Sequence, residues 1–292
     1  GEDHYDGWPR YIVSSRDDMI MTYVPEQTFL MGGGLGADEV PGRMVTTPHF
    51  YIDLHEVTNA QFNRFYRTAA TGCDLCGPAW HPPRPWNCLD PDYPGAMGAP
   101  WRVSRAWMEY WVPSQTNHHP VRNVSWWEAQ SYGQWSGKAL PTEAQWEAAA
   151  RGGDRRIYPW GNQERIEATR YLCNARTGRD DFDGYEYSAP VLSFAAGVSP
   201  YGVYQMAGNV WEWCADWYDA GYYGDSPDRN PTGPTHGVER SIRGGCWLVG
   251  IDGDLGQPHW VSRRSATGVV ASRPTSGVSS NCFPRYPYCG IS

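Results

Sequence analysis

The stretch that most restricts how this chain can fold is Tyr201–Trp217, which reads YGVYQMAGNVWEWCADW. Gly202, Gly208 and Asn209 admit turn geometry that other residues resist. Val210, Trp211, Trp213 and Trp217 then present large apolar faces that need burial. Glu212 stands between two of those tryptophans, where an unpaired charge is costly. A bound cation, Arg243 or several backbone N–H groups would each answer that charge.

The rest of the chain has to be read against the same shortage of ordinary core residues. Only 40% of the 292 residues are hydrophobic, so sixteen Trp and nineteen Tyr must supply much of the interior. Thirty-three Gly and 24 Pro call for irregular but fixed backbone rather than long regular elements. The density of aromatics argues against disorder. A net charge of -8, with no Lys/Arg run among aromatics, excludes nucleic acid as an expected partner. No apolar run reaches the length needed to cross a bilayer. The start at Gly1 is expected to mark a processed form whose signal peptide has been removed.

Cys73, Cys76, Cys88, Cys173, Cys214, Cys246, Cys282 and Cys289 are even in number. Disulfides are expected from that count in a loop-rich chain, and with them an oxidising, extracytoplasmic compartment. In the alternative, Cys73, Cys76 and Cys88 hold zinc, with His81 or Cys173 as the fourth ligand.

Local patterns predict strands at Arg10–Val13, Met19–Val24 and Phe29–Gly34. Gly32–Gly34 is expected to be a turn, because no Gly-Lys-Ser/Thr ending follows it. Three capping boxes predict helix starts: Thr58 with Gln61, Ser125 with Glu128, and Thr142 with Gln145. The second helix should stop near Gly137 and the third at Gly152. Beyond Arg151 little helix is expected, with short strands and turns that include 158–162, 189–194, 209–214 and 241–248. Residues 71–113, rich in Pro, Gly, Trp and Cys, read as a cross-linked insertion.

In order along the chain stand Phe29-Leu-Met-Gly32, Glu56-Val-Thr-Asn-Ala-Gln-Phe62 and His119-Pro-Val-Arg-Asn-Val-Ser-Trp126. Gly137-Lys-Ala-Leu-Pro-Thr-Glu-Ala-Gln-Trp-Glu-Ala-Ala-Ala-Arg151 and Tyr158-Pro-Trp-Gly-Asn162 follow, then Gly208-Asn-Val-Trp-Glu-Trp213 and Arg243-Gly-Gly245. This series resembles the formylglycine-generating enzyme, or sulfatase-modifying factor, family. The resemblance implies one α+β domain over residues 1–292, a variant C-type lectin fold with little regular secondary structure. It also implies two structural calcium sites. The first would use Asn174, the Ala175 carbonyl, Asp183 and the Tyr185 carbonyl. The second would use Gln205, the carbonyls of Gly208 and Val210, and Glu212, with Gln205 standing where the family has Asn. Carboxylate, amide and carbonyl oxygens suit a hard cation. In the competing reading Glu212 pairs with an arginine or caps a turn, and Asp183 only opens a turn with Gly184.

Catalytic members of that family bind copper through a cysteine pair after Arg-Gly-Gly, and the matching positions here are Val249 and Asp254. No copper is expected. Cys246, directly after Gly245, is expected to form a disulfide with Cys214 across neighbouring strands. No iron-binding histidine set stands out, since adjacent His118 and His119 share no face. The segment beyond Gly250 lines the ligand face in lectin-like relatives. With Trp247 before it, Asp252, Asp254, His259, Trp260 and Arg264 are therefore candidates for a binding surface. These features lead to a non-catalytic binding or structural subunit, built into a larger protein assembly. A metal-dependent oxidase acting on a thiol and a calcium-assisted, lectin-like glycan binder are the alternatives.

Overall fold

The computed structural model describes residues 4–33, 37–70, 117–122, 124–162, 166–167, 170–175, 183–247, 264–266 and 289–290. The expected insertion at 71–113 lies outside them. β1 (His4–Tyr5) and β2 (Trp8–Pro9) form a short hairpin. β3 (Tyr11–Val13) and β4 (Ile20–Val24) follow, then the antiparallel pair β5 (Gln27–Met31) and β6 (Arg43–Thr47). β7 (Phe50–Asp53) returns to pair with β4, giving a three-stranded sheet of order β3-β4-β7. In β5 the period of two is plain: Phe29 and Met31 are buried while Thr28 faces outward. Gly32 ends that strand in the left-handed region, and a Cβ there would stand 2.6 Å from the Glu39 carbonyl oxygen. Gly33 likewise takes positive φ, in keeping with the expected turn, whose third glycine lies outside the described residues.

All three helix starts lie where the capping boxes place them. α1 (Asn59–Ala70) begins after Thr58, whose hydroxyl accepts from Gln61 N–H at 3.2 Å. α2 (Trp126–Ser136) is capped reciprocally by Ser125 and Glu128, and Gly137 closes it at φ 79°. α3 (Glu143–Arg151) is capped by Thr142 and Gln145, and ends at Gly152. Small Ala side chains let α3 sink between two halves of the core. Trp146, Ala149 and Ala150 pack on one side, and Ala144 and Ala148 on the other. Complete burial leaves its Glu143 and Glu147 nowhere to reach water.

β8 (Ile166–Glu167) and β9 (Arg170–Tyr171) make a two-residue ladder. β10 (Trp211–Trp217) is the centre of the C-terminal sheet, and the short α4 (Tyr222–Asp225) follows it. β11 (Arg240–Arg243) and β12 (Arg264–Ala266) extend the sheet on one side, and β13 (Cys289–Gly290) lies parallel to β10 on the other. Trp211 and Trp213 join Phe62, Phe65, Tyr132 and Trp135 in the largest apolar cluster. Two indoles of that cluster find buried acceptors: Trp213 Nε1 donates to the Val124 carbonyl at 3.0 Å, and Trp126 Nε1 to that of Cys214 at 2.8 Å.

Among the short strands and turns expected beyond Arg151, three segments take these forms. Residues 189–194 hold a turn at 191–192, with Ser193 N–H bonded back to the Pro190 carbonyl and Phe194 at φ 59°. Residues 158–162 make only a bridge between Tyr158 and Gly161. The strand within 241–248 stops at Arg243, because Gly244 and Gly245 both take positive φ.

Candidate functional site

The inward face of β10 places Glu212 at 1% exposure, opposite Arg243 in the β10–β11 register. Arg243 nevertheless directs its guanidinium to α3. Its Nη2 lies 2.6 Å from Glu147 Oε2 and its Nη1 3.4 Å from Glu143 Oε1. Arg151 adds a second cation to Glu147 at 2.6 Å. Glu212 Oε2 instead accepts from Trp146 Nε1 at 2.5 Å. Arginine pairing thus answers the carboxylates of α3.

A second carboxylate, from the segment just before α1, comes to this place. Glu56 is 1% exposed, and its Oε2 accepts from Asn209 Nδ2 at 2.8 Å. Burial, and then the charge of Glu212, push its pKa well above the ordinary range, against a partial pull from Asn209 and the Val210 N–H. Glu56 Oε1 has no hydrogen-bond partner, and neither has the buried Gln205 Oε1. A carboxylate oxygen of Glu56 and an amide oxygen of Gln205 are thus buried acceptors of the kind that a cation satisfies.

The remaining second-site residues lie in the same loop. Gly244 approaches both sides of it: a Cβ there would be 3.6 Å from the Val210 carbonyl oxygen and 3.9 Å from the Glu212 carboxyl carbon. Gly208 N–H donates to the Gly244 carbonyl at 2.8 Å. The loop bends through positive φ at Gln205, Gly208 and Asn209. These residues fit a hard cation held by carboxylate, amide and carbonyl oxygens.

The first set is assembled as well, with a different use of its carboxylate. Asp183 Oδ2 accepts from Ala175 N–H at 3.2 Å and its Oδ1 from Tyr185 N–H at 3.0 Å. Both oxygens thus already hold N–H groups, as the turn reading expects. Asn174 donates to the Tyr187 carbonyl at 2.9 Å and to Asn209 Oδ1 at 3.1 Å. Asn209 therefore joins the two sets, since its amide also binds Glu56 and the backbone of Ala189. The close approach needs Gly208, where a Cβ would lie 2.2 Å from the Asn174 carbonyl oxygen.

Sequence reasoning placed neither Glu56 nor Asn209 at the site. Glu56 carried a signal, as an acid beside an apolar residue in the Glu56-Val-Thr motif. Asn209 read only as a turn former.

The cysteine expectations require a correction. Cys214 is a free, fully buried thiol, so the bond expected to Cys246 is not formed. Burial, followed by the charges of Glu143 and Asp216, raises its pKa well above the usual thiol value. Cys173 and Cys246 are buried thiols too. Trp247, expected on a binding surface, is 5% exposed and belongs to the main apolar cluster, with the Arg122 guanidinium 5.2 Å above its ring. Arg264 opens β12 opposite Ile242. Cys289 lies in β13. Cys73, Cys76, Cys88, Cys282, Val249, Asp252, Asp254, His259 and Trp260 fall outside the described residues. His119 is half-buried beside Ser188, and burial lowers its pKa although the hydrogen bond to Ser188 pulls the other way. Among the described residues no three His, Cys, Asp or Glu side chains converge as a metal cluster. Among the same residues no helix is long and apolar enough to cross a membrane.

Comparison with known proteins agrees with this architecture. The family model of the sulfatase-modifying factor enzyme 1-like domain matches residues 13–278. The formylglycine-generating enzyme of Streptomyces coelicolor is 38% identical over 248 residues, which is 77% of each chain. The inactive C-alpha-formylglycine-generating enzyme 2 of Mus musculus is 30% identical over 280 residues, covering 88% of this chain and 83% of its own. The structure of PvdO from Pseudomonas aeruginosa superposes with a TM-score of 0.62 at 23% identity, covering 96% of this chain and 95% of its own, and so shares the fold. The chain belongs to the family of sulfatase-modifying factor enzyme 1-like domains.

Proposed function

We propose that this protein is a calcium-stabilised binding or structural subunit that keeps the family scaffold without its copper–thiolate chemistry. The observation that carries the reading is the identity of two residues. Val249 and Asp254 occupy the positions at which the resemblance expects copper-binding cysteines, and neither side chain offers a thiolate. A mouse relative whose name calls it inactive, at 30% identity, supports the idea that this scaffold serves roles without catalysis. The buried Glu56–Glu212 pair and the orphaned Gln205 Oε1 support calcium at the second set. At the first set the donors are gathered around Asp183, and calcium there would have to share a carboxylate already bonded to two N–H groups. Bound calcium would supply charge neutralisation and would tie the Gln205–Glu212 loop to Glu56.

Millimolar calcium outside the cytoplasm suits a site of so few charged ligands, so we assign the protein to an extracytoplasmic compartment, where it would bind a protein partner. The test is metal analysis of the purified chain together with oxygen uptake in the presence of a cysteine peptide and added copper. Calcium in the protein, no retained copper and no thiol-dependent uptake are expected. Copper held through dialysis, with turnover, would overturn the reading in favour of a thiol oxidase.

A further inference from the structure

We propose that a cavity whose lining includes neither Glu56 nor Glu212 binds a small organic ammonium ion with an aromatic or alkyl body. The cavity has a volume of about 370 Å³ and lies between the β3-β4-β7 sheet and the connection from α2 to α3. That volume is within the range of small-molecule sites. Among the described residues its walls include Ile12, Phe50, Tyr51 and Tyr132, and its polar lining includes Asp53 and Lys138.

Charge decides the ligand class. Lys138 Nζ lies 2.9 and 2.7 Å from the two Asp53 oxygens and 2.8 Å from Asp17 Oδ2. An ammonium has three protons, and these contacts commit all of them. Tyr132 spends its hydroxyl proton on Asp17 at 2.7 Å. His55, which also feels this cluster, is kept toward its neutral form by burial. Arg64, the next cation, is paired with Asp18 at 2.8 Å. Asp53 and Lys138 line the cavity as a pair, and the buried Asp17 behind Lys138 gives the three-residue cluster an excess of one negative charge beside the aromatic wall. An entering anion would meet that charge with the Gln145 amide, and no uncommitted cation, among the described lining side chains. A neutral molecule would gain only apolar burial. An organic cation would gain the attraction of Asp53 and of the aromatic faces as well.

The inference is independent of the calcium and copper reading. It is tested on the full chain at pH 7.5 by calorimetric titration with 2-phenylethylammonium, using 2-phenylethanol and 3-phenylpropionate as controls of matched body. Saturable binding of the ammonium ion is expected, at least tenfold tighter than that of the alcohol, with no binding of the carboxylate. Ile12→Trp, on a half-buried strand position, should fill the cavity while leaving the ion cluster intact, and should abolish binding. Asp53→Asn should weaken binding at least tenfold, provided circular dichroism shows a native fold. The proposal is overturned if the ammonium ion fails to bind, binds no better than the alcohol, or binds Ile12→Trp as it binds the parent.

Discussion

Glu56→Gln separates the electrostatic argument from a purely structural one. The substitution keeps the oxygen that accepts from Asn209 Nδ2 at 2.8 Å and from the Val210 N–H. It removes one of two buried negative charges and replaces Glu56 Oε1, which has no hydrogen-bond partner, by an amide. In chelator the parent must protonate Glu56 or endure repulsion from Glu212, so the variant should be at least as stable as the parent. In calcium the order should reverse. A site with a dissociation constant of about 0.1–1 mM, at about 10 mM calcium, stabilises the native state by about 1.4–2.7 kcal/mol. Thermal unfolding of both proteins in EDTA and in calcium measures this directly. A shift of several degrees is expected for the parent and most of it should vanish in the variant. Equal calcium shifts in the two proteins, or a variant much less stable than the parent in EDTA, would refute the reasoning.

Three further outcomes follow from particular contacts. Gly208→Ala must take a positive φ, costing roughly 1–2 kcal/mol, and must also push away the Asn174 carbonyl. A loss above about 2 kcal/mol in urea unfolding is expected, with a smaller calcium shift. Arg243→Met leaves Glu143 and Glu147 buried without their shared cation and should cost about 3–5 kcal/mol, partly restored by adding Glu147→Gln; an unchanged urea midpoint would remove the ion cluster from the account. Asp53 sits at a pKa of about 6, above its ordinary 3.8, because burial outweighs the pull of Lys138. The native state therefore binds a proton that the unfolded chain has released, and this contribution to stability is lost as pH rises from about 4 to about 6. Denaturation at pH 4.5 and 6.5 should show a shallower decline in Asp53→Asn, and an identical decline would contradict the assignment.

What could be read from the chain in order is what neighbours in sequence determine. Ser125 with Glu128 and Thr142 with Gln145 close their hydrogen bonds within a single helical turn, so the starts of α2 and α3 needed no knowledge of the fold. The order of the motifs likewise carried the family, and Glu212 between tryptophans announced a buried charge. Partner choice was another matter. From the chain alone Arg243 was a candidate for Glu212, and it faces that residue across the β10–β11 ladder, yet the burial of α3 draws its guanidinium to Glu143 and Glu147. Cys214 lay on a strand expected to neighbour Cys246, but both thiols ended in the core unbonded to each other. Glu56 meets Glu212 from more than a hundred residues away, held there by the Asn209 amide. Local hydrogen bonds depend on a few torsions and are written into short patterns. Which charges share a dry interior depends on which segments exclude water together, and only the folded chain decides that.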